Sequence, residues 1–506
     1  MLVVRHKISL AFLLLLLSTM TAAAQVFSVR QGCRRGTPRP MALMTRGETP
    51  SQTRHAGGDF YKGERHQLVV LVSFVDLQFK GDEAATMEQW DNVFNAKNYT
   101  EDHFVGSVHD YFYAQSCGQF DLQFDLLYIA LNDSVNKYHS TPGYDGDDEN
   151  SQYLVNDLVD VLQTYEIDWS KYDWNGDGFV NQLLIVYPGK GMNDGGGLNT
   201  IWPHQWWLSQ HLKDRVPGVY CEPRKVATQE KEYWIDCYCA FQEIANNKIY
   251  GSFGTICHEY THCFGFPDFY SVDGAQDTPM SWDLMDYGNN NGGGFCPPNY
   301  SAHERWLMGW FMPTELKEAV TITDMPALGD EPQACLIRND GYENEFYIVE
   351  NRQQKGWDTQ LPGSGIVVFH VDFDEDVWIG ISNDYANTRS LQRYHIFFAN
   401  NVFYLSKGWA YPYEDNNALT NTSQPSAKVN HQNVDGTYYM NKPLTNMKIE
   451  EGLASFDFMK SPDAIQTIVS VSDAMQPWFD LQGRQLPGRP QRKGLYIVGG
   501  RKVVVR

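Results

Sequence analysis

The sequence predicts an α/β (α+β) domain carrying a metal-binding helix, followed by a β-rich region and a small C-terminal β domain. Three observations lead there: apolar runs that alternate with helical patterns over the first half, an HExxH motif at 258–262, and a shift to short strands after Trp310. The run at 68–74 (LVVLVSF) reads as a buried strand. Residues 106–112 open a helix that ends near Gly118, residues 151–162 fit a second helix, and the apolar run at 182–187 gives a second buried strand. Ahead of the motif, Phe253, Ile256 and Cys257 fall at helical spacing with Ser252 as the N-cap. Beyond Trp310, the runs at 345–350 and 365–371 read as strands of a β-rich region. These readings divide the chain into residues 1–24, 25–60, 61–310, 311–460 and 461–506.

His258 and His262 stand four apart and therefore project from one face of a helix, with Glu259 between them. Two imidazoles at that spacing suit zinc. Glu259 is then placed to take a proton from the attacking water as general base and to pass it to the leaving amine, so hydrolysis of peptide bonds is the expected chemistry. Gly265 can take the left-handed conformation that ends a helix, and Pro267 discourages its continuation, so a residue just beyond can turn back toward the metal. Asp268 is that residue, and its place resembles that of the third zinc ligand of metzincin-type peptidases, where histidine is more common. The segment 281–288 (SWDLMDYG) resembles the methionine turn of the same enzymes. Met285 would form the floor under the histidines, and the Tyr287 hydroxyl would stabilise the developing oxyanion. A rival third ligand is Glu304.

A second metal-type pattern lies at 173–181. Asp173, Asn175, Asp177 and Asn181 carry side-chain oxygens at alternate positions, Phe179 offers a carbonyl, and glycines fall at 176 and 178. Hard oxygen donors on a tight loop suit structural calcium, although Leu184 stands where an EF-hand loop has glutamate and a strand follows in place of a helix. An Asx-rich turn without metal is the plainer alternative.

With 506 residues, 42% hydrophobic and 14% aromatic, the chain has material for a large core. Its formal charge of −22 argues against nucleic acid as a partner, since phosphate neutralisation needs basic surface. Residues 1–24 read as a signal peptide: a basic start, an apolar run from Ile8 to Leu17, and three alanines before Gln25. No cysteine follows that cut, and no later run approaches the ~18 apolar residues of a membrane span, so the mature protein is expected to be secreted or at the cell surface without a transmembrane segment. Residues 25–60 read as a basic pro-segment or linker in which Cys33 could reach a zinc ion. Nine cysteines, an odd number, leave the pairing open, with Cys221 and Cys237 or Cys239 as one weak cluster.

Taken in order, the strand near 70, GSVHDYF and SCGQF, the calcium-like loop, HEYTHCFGFPD, SWDLMDYG and the run from Pro298 to Trp310 resemble the immune-inhibitor-A-type metallopeptidases over roughly residues 60–460. The resemblance implies an exported bacterial zinc endopeptidase with structural calcium, acting on protein or peptide substrates, with His258, Glu259 and His262 as its site residues. The tail, with DLQGR at 480–484 and the apolar strands after Lys493, is similar to the C-terminal sorting domains of Bacteroidetes-type secretion systems, which implies a secretion machinery as partner. A catalytically inactive secreted binding or adhesion protein on the same fold is the alternative from another class.

Overall fold

The structure, a computed structural model, describes residues 59–139, 150–197, 199–210, 222–226, 231–271, 278–378, 386–402 and 408–460, with shorter stretches beyond 468. The expected signal peptide, nearly all of the basic segment, Cys33 and Cys221 lie outside the described residues.

The first half is built on a six-stranded mixed sheet. Its order is β2 (Phe120–Ala130), β1 (Gly63–Ser73), β4 (Leu183–Lys190), β8 (Cys237–Ala245) and β5 (His204–Trp207), with β9 (Lys248–Ile249) also paired to β8. The β1–β2, β1–β4 and β4–β8 pairs are parallel, and β5 runs antiparallel to β8. The apolar run of β1 is buried on both faces by simple alternation. Val69 and Leu71 enter one core, and Leu68, Val70 and Val72 enter another on the opposite face. The second core is covered by α3 (Ser151–Leu162), whose Leu154, Val155, Leu158, Val159 and Leu162 recur at helical spacing. Helices α1 (Glu83–Asn95), α2 (Val108–Gln115) and α4 (Phe253–Cys263) pack on the first.

Local sequence sets the helix ends. Asp82 caps α1 by accepting from the Ala85 N–H at 2.9 Å. Ser107 and Asp110 form a reciprocal capping box at α2, and Gly118, at φ +76°, turns the chain into β2. At α4, Ser252 occupies the N-cap position but does not act as the expected cap. Its backbone is helical and its hydroxyl donates to the Glu243 carbonyl at 3.5 Å, because the chain arrives from β9 with Ser252 fully buried against β8.

A small sheet of β3 (Phe179–Val180), β7 (Tyr233–Ile235) and β6 (Arg224–Val226) holds the far side of the 173–181 loop. After the short α5 (Ala302–Leu307), two sheets form the β-rich region. One has the order β10 (Thr314–Glu315), β12 (Ala334–Asn339), β13 (Tyr342–Arg352), β14 (Gly365–Asp372) and β15 (Tyr394–Ile396). The other has β16 (Leu444–Glu450), β17 (Leu453–Phe458), β11 (Val320–Met325) and β18 (Ile468–Ser470). Alternation again explains the continuous apolar run of β14: Val367, Phe369 and Val371 join the core under α4, while Ile366 and Val368 pack toward the second sheet. The hydrophobic core therefore continues across residue 310. At the C-terminal end, β19 (Trp478–Phe479), β20 (Gly494–Val498) and β21 (Arg501–Val505) form an antiparallel sheet. Among the described residues, no helix is long and apolar enough to cross a membrane.

Candidate metal centre

Helix α4 presents His258, Glu259 and His262 from the core, each at most 5% exposed. The helix stops at Cys263, the Gly265 N–H bonds back to the His262 carbonyl at 2.8 Å, and Gly265 at φ +87° redirects the chain. That reversal brings Asp268 over the histidines. Asp268 Oδ1 lies 3.1 Å from His258 Nε2 and 3.2 Å from His262 Nε2, and the three side chains are the one buried His/Asp group of metal-binding dimensions among the described residues.

The other ring atoms are held by backbone carbonyls. His258 Nδ1 donates to Leu284 O at 2.9 Å and His262 Nδ1 donates to Phe266 O at 2.8 Å, which places both protons on Nδ1 and both lone pairs on Nε2. Tyr270 donates its hydroxyl to Asp268 Oδ2 at 3.0 Å and leaves Oδ1 turned to the imidazoles. Five buried polar atoms, His258 Nε2, His262 Nε2, Asp268 Oδ1 and both Glu259 oxygens, have no hydrogen-bond partner. Such atoms cost free energy unless a cation or water meets them, so the donor set fits a zinc ion with an adjoining water. The Asp268 carboxylate favours positive charge at this point, whether a proton or a metal: burial opposes the imidazolium of His258, yet Asp268 overrides it and pushes the pKa up to about 9. For Asp268, burial favours the neutral acid, and the two imidazoles override that and hold the carboxyl well below the usual range.

The 281–288 segment is bonded to both parts of this cluster. Met285 is fully buried, its carbonyl accepts from the Phe269 N–H at 2.8 Å next to Asp268, and its own N–H donates to Asp283 Oδ1 at 2.8 Å. One turn thus orients His258 through Leu284 and fixes the Asp268 segment through Met285. Tyr287 begins the following 3-10 segment and is half-buried. Glu304 lies elsewhere, at the N-terminus of α5, where it accepts from the Ser301 N–H at 2.6 Å in a capping box.

Residues 61–308 match the immune inhibitor A peptidase M6 catalytic domain. The chain is also 24% identical to Immune inhibitor A of Bacillus thuringiensis subsp. alesti over 306 residues, 51% of this chain and 41% of that relative, so it spans about two fifths of the relative's length. The M6 match contains the metal cluster, the 281–288 turn and the 173–181 loop, and it ends before the β-rich region.

In that loop Gly176 and Gly178 take positive φ, Asn181 Oδ1 accepts from the Trp174 N–H at 2.7 Å, and Asp177 Oδ1 accepts from the Phe179 N–H at 2.8 Å. Asp173 Oδ2 accepts from the Gly178 N–H and from Lys231, both at 3.0 Å, while its buried Oδ1 has no hydrogen-bond partner. Asn175 donates its amide to Asp177 Oδ2 at 2.8 Å.

Several supporting groups were invisible as function in the sequence. The Leu284 and Phe266 carbonyls act through backbone and leave no side-chain signal. Asp283 lies within SWDLMDYG and Tyr270 two residues past Asp268, but neither residue type announces its role without the fold.

Proposed function

We propose that this chain is an exported zinc-dependent endopeptidase that hydrolyses peptide bonds of extracellular proteins. The observation that carries this reading is the set of five partnerless buried atoms converging from α4 and Asp268. His258, His262 and Asp268 hold the metal, and bound zinc supplies Lewis acidity toward a water and the scissile carbonyl. Glu259 takes the proton of the attacking water and delivers it to the leaving amine. The Leu284 and Phe266 carbonyls keep each Nε2 unprotonated and aimed. Tyr287 donates its hydroxyl to the oxyanion that develops.

Asp173, Asn175, Asp177, Phe179 and Asn181 would hold a calcium ion, which would supply structural cross-linking of the loop to β3, a reading supported by the buried, partnerless Asp173 Oδ1. The residue 1–24 pattern supports export, and the antiparallel β19–β21 sheet suits a sorting unit engaged by a secretion machinery. Digestion of a peptide library by the purified chain, with and without a zinc chelator, tests the central reading. Cleavage that the chelator stops is expected; no chelator-sensitive cleavage would turn the assignment to a binding or adhesion protein.

A further inference from the structure

The β-rich region holds a second constellation that the metal centre does not use. Glu345 on β13, His370 on β14 and His395 on β15 meet across three antiparallel strands, with Glu345 diagonal to His370 and His370 directly opposite His395. Glu345 Oε1 lies 2.6 Å from His370 Nε2, and His370 Nδ1 lies 2.8 Å from His395 Nε2. Glu345 is fully buried and also accepts the N–H groups of Asn430 and His431 and the Asn339 amide. Burial opposes its ionisation, but His370 and these donors override that and hold its pKa below the ordinary value. The carboxylate therefore fixes the proton of His370 on Nε2. Nδ1 of His370 then accepts from His395 Nε2–H, and Nδ1 of His395 remains as a buried acceptor without a hydrogen-bond partner.

Both imidazoles line a cavity of about 750 Å3 between β14, β15 and the 421–430 loop, within the size range of small-molecule sites. Arg389 and Lys428 also line it, and among its 18 described lining residues none is an acid, in a chain with 62 acids among 506 residues. Two carboxylates that contact lining residues are already engaged: Glu345 by His370, and Asp372 by His431 at 3.1 Å and by the Asn430 amide at 3.0 Å. The loop contributes Asn421, Thr422, Ser423, Gln424 and Ser426, amides and hydroxyls that can each donate and accept. Phe397 and Tyr439 add ring surface. The wall thus offers paired donors and acceptors, some ring surface and positive charge.

We propose that this cavity binds a sugar acid, free or as the terminal residue of a glycan. Vicinal hydroxyls match the amide and hydroxyl wall, the apolar ring face matches Phe397 and Tyr439, and the carboxylate matches Arg389 and Lys428. The site stands in the part of the chain beyond the M6 match and does not depend on the metal.

Calorimetric titration of the full chain carrying Glu259→Gln tests this with five probes: glucuronate, N-acetylneuraminate, an oligosaccharide ending in N-acetylneuraminate, glucose, and a blocked tri-aspartate peptide. At least one sugar acid is expected to bind 10-fold or more tighter than glucose and the peptide. Equal binding of free and chain-terminal acid identifies a free ligand, and binding of the oligosaccharide alone identifies a glycan end. The double variant Arg389→Ala, Lys428→Ala, at two exposed positions, is expected to weaken the acid 10-fold or more with an unchanged thermal melt. No sugar binding, equal binding of glucose and the acids, preference for the peptide, or an unaffected double variant would each overturn the proposal.

Discussion

At the scale of single residues, Glu259 has the most exposed role in the account, because both its oxygens are buried without a donor yet it coordinates nothing in the cluster. Replacing it by glutamine keeps shape and removes the base. Glu259→Gln is expected to lower kcat for peptide hydrolysis by about 10²–10⁴-fold with little change in KM, read from steady-state kinetics on one cleaved peptide. Asp286 offers a separate test through pH. Burial pushes its pKa up to about 7, against the Met280 N–H that donates to it at 2.6 Å, from an ordinary value of 3.8. Between those values the unfolded chain loses this proton while the folded chain keeps it. Its contribution to stability therefore falls as pH rises through that window and is level above it. Urea midpoints of Asp286→Asn and the parent, measured at pH 4.5 and pH 7.5, should show the variant gaining on the parent at the higher pH. A gap independent of pH would remove Asp286 as the cause.

At the scale of elements, the centre is a helix, a reversal and a turn held against one another. Helix α4 approaches the 287–293 segment so closely that a Cβ on Gly254 would lie 1.9 Å from the Asn289 carbonyl oxygen. Only glycine permits that contact, which keeps the helix against the stretch whose Leu284 carbonyl orients His258. Gly254→Ala is expected to cost about 1–3 kcal/mol in denaturant unfolding and to weaken metal retention by displacing α4. An alanine variant as stable as the parent would show that the contact relaxes without moving the helix. Arg352 is fully buried, pairs with Asp358 at 2.6 Å and Glu350 at 3.1 Å, and donates to the carbonyls of Asn299 and Trp282. The β-rich region thereby reaches the segment that carries Met285, so the two halves meet through charge as well as through the shared core.

At the scale of the whole molecule, the 173–181 loop joins the small β3–β7–β6 sheet to β4 of the six-stranded sheet. If calcium binds there, it stabilises the folded chain by about 2.7 kcal/mol at 100 times its dissociation constant, seen as a rise in Tm on adding calcium and absent in Asp173→Ala. An equal Tm with calcium and with a calcium chelator would leave the loop as an Asx-rich turn.

Much of this architecture was legible beforehand for identifiable reasons. The runs at 68–74, 182–187 and 365–371 are buried on both faces, so their strands announce themselves as continuous apolar stretches, and residues 151–162 form a helix with the bounds the periodicity predicts. His258, His262 and Asp268 were legible because all three fall within 11 residues and one reversal. The failed cap at Ser252 was not, because a buried tertiary partner, the Glu243 carbonyl, outcompetes the local one. Nor was the Glu345–His370–His395 row, whose members are 25 residues apart and meet only through strand register.

If His258, His262 and Asp268 hold a catalytic zinc ion, metal content follows Asp268 and not Glu304. Metal analysis of the purified parent chain and of Glu259→Gln, Asp268→Ala and Glu304→Ala tests it most directly. One zinc per chain is expected in the parent, in Glu259→Gln and in Glu304→Ala, with loss of zinc in Asp268→Ala. Zinc retained by Asp268→Ala and lost from Glu304→Ala would contradict it.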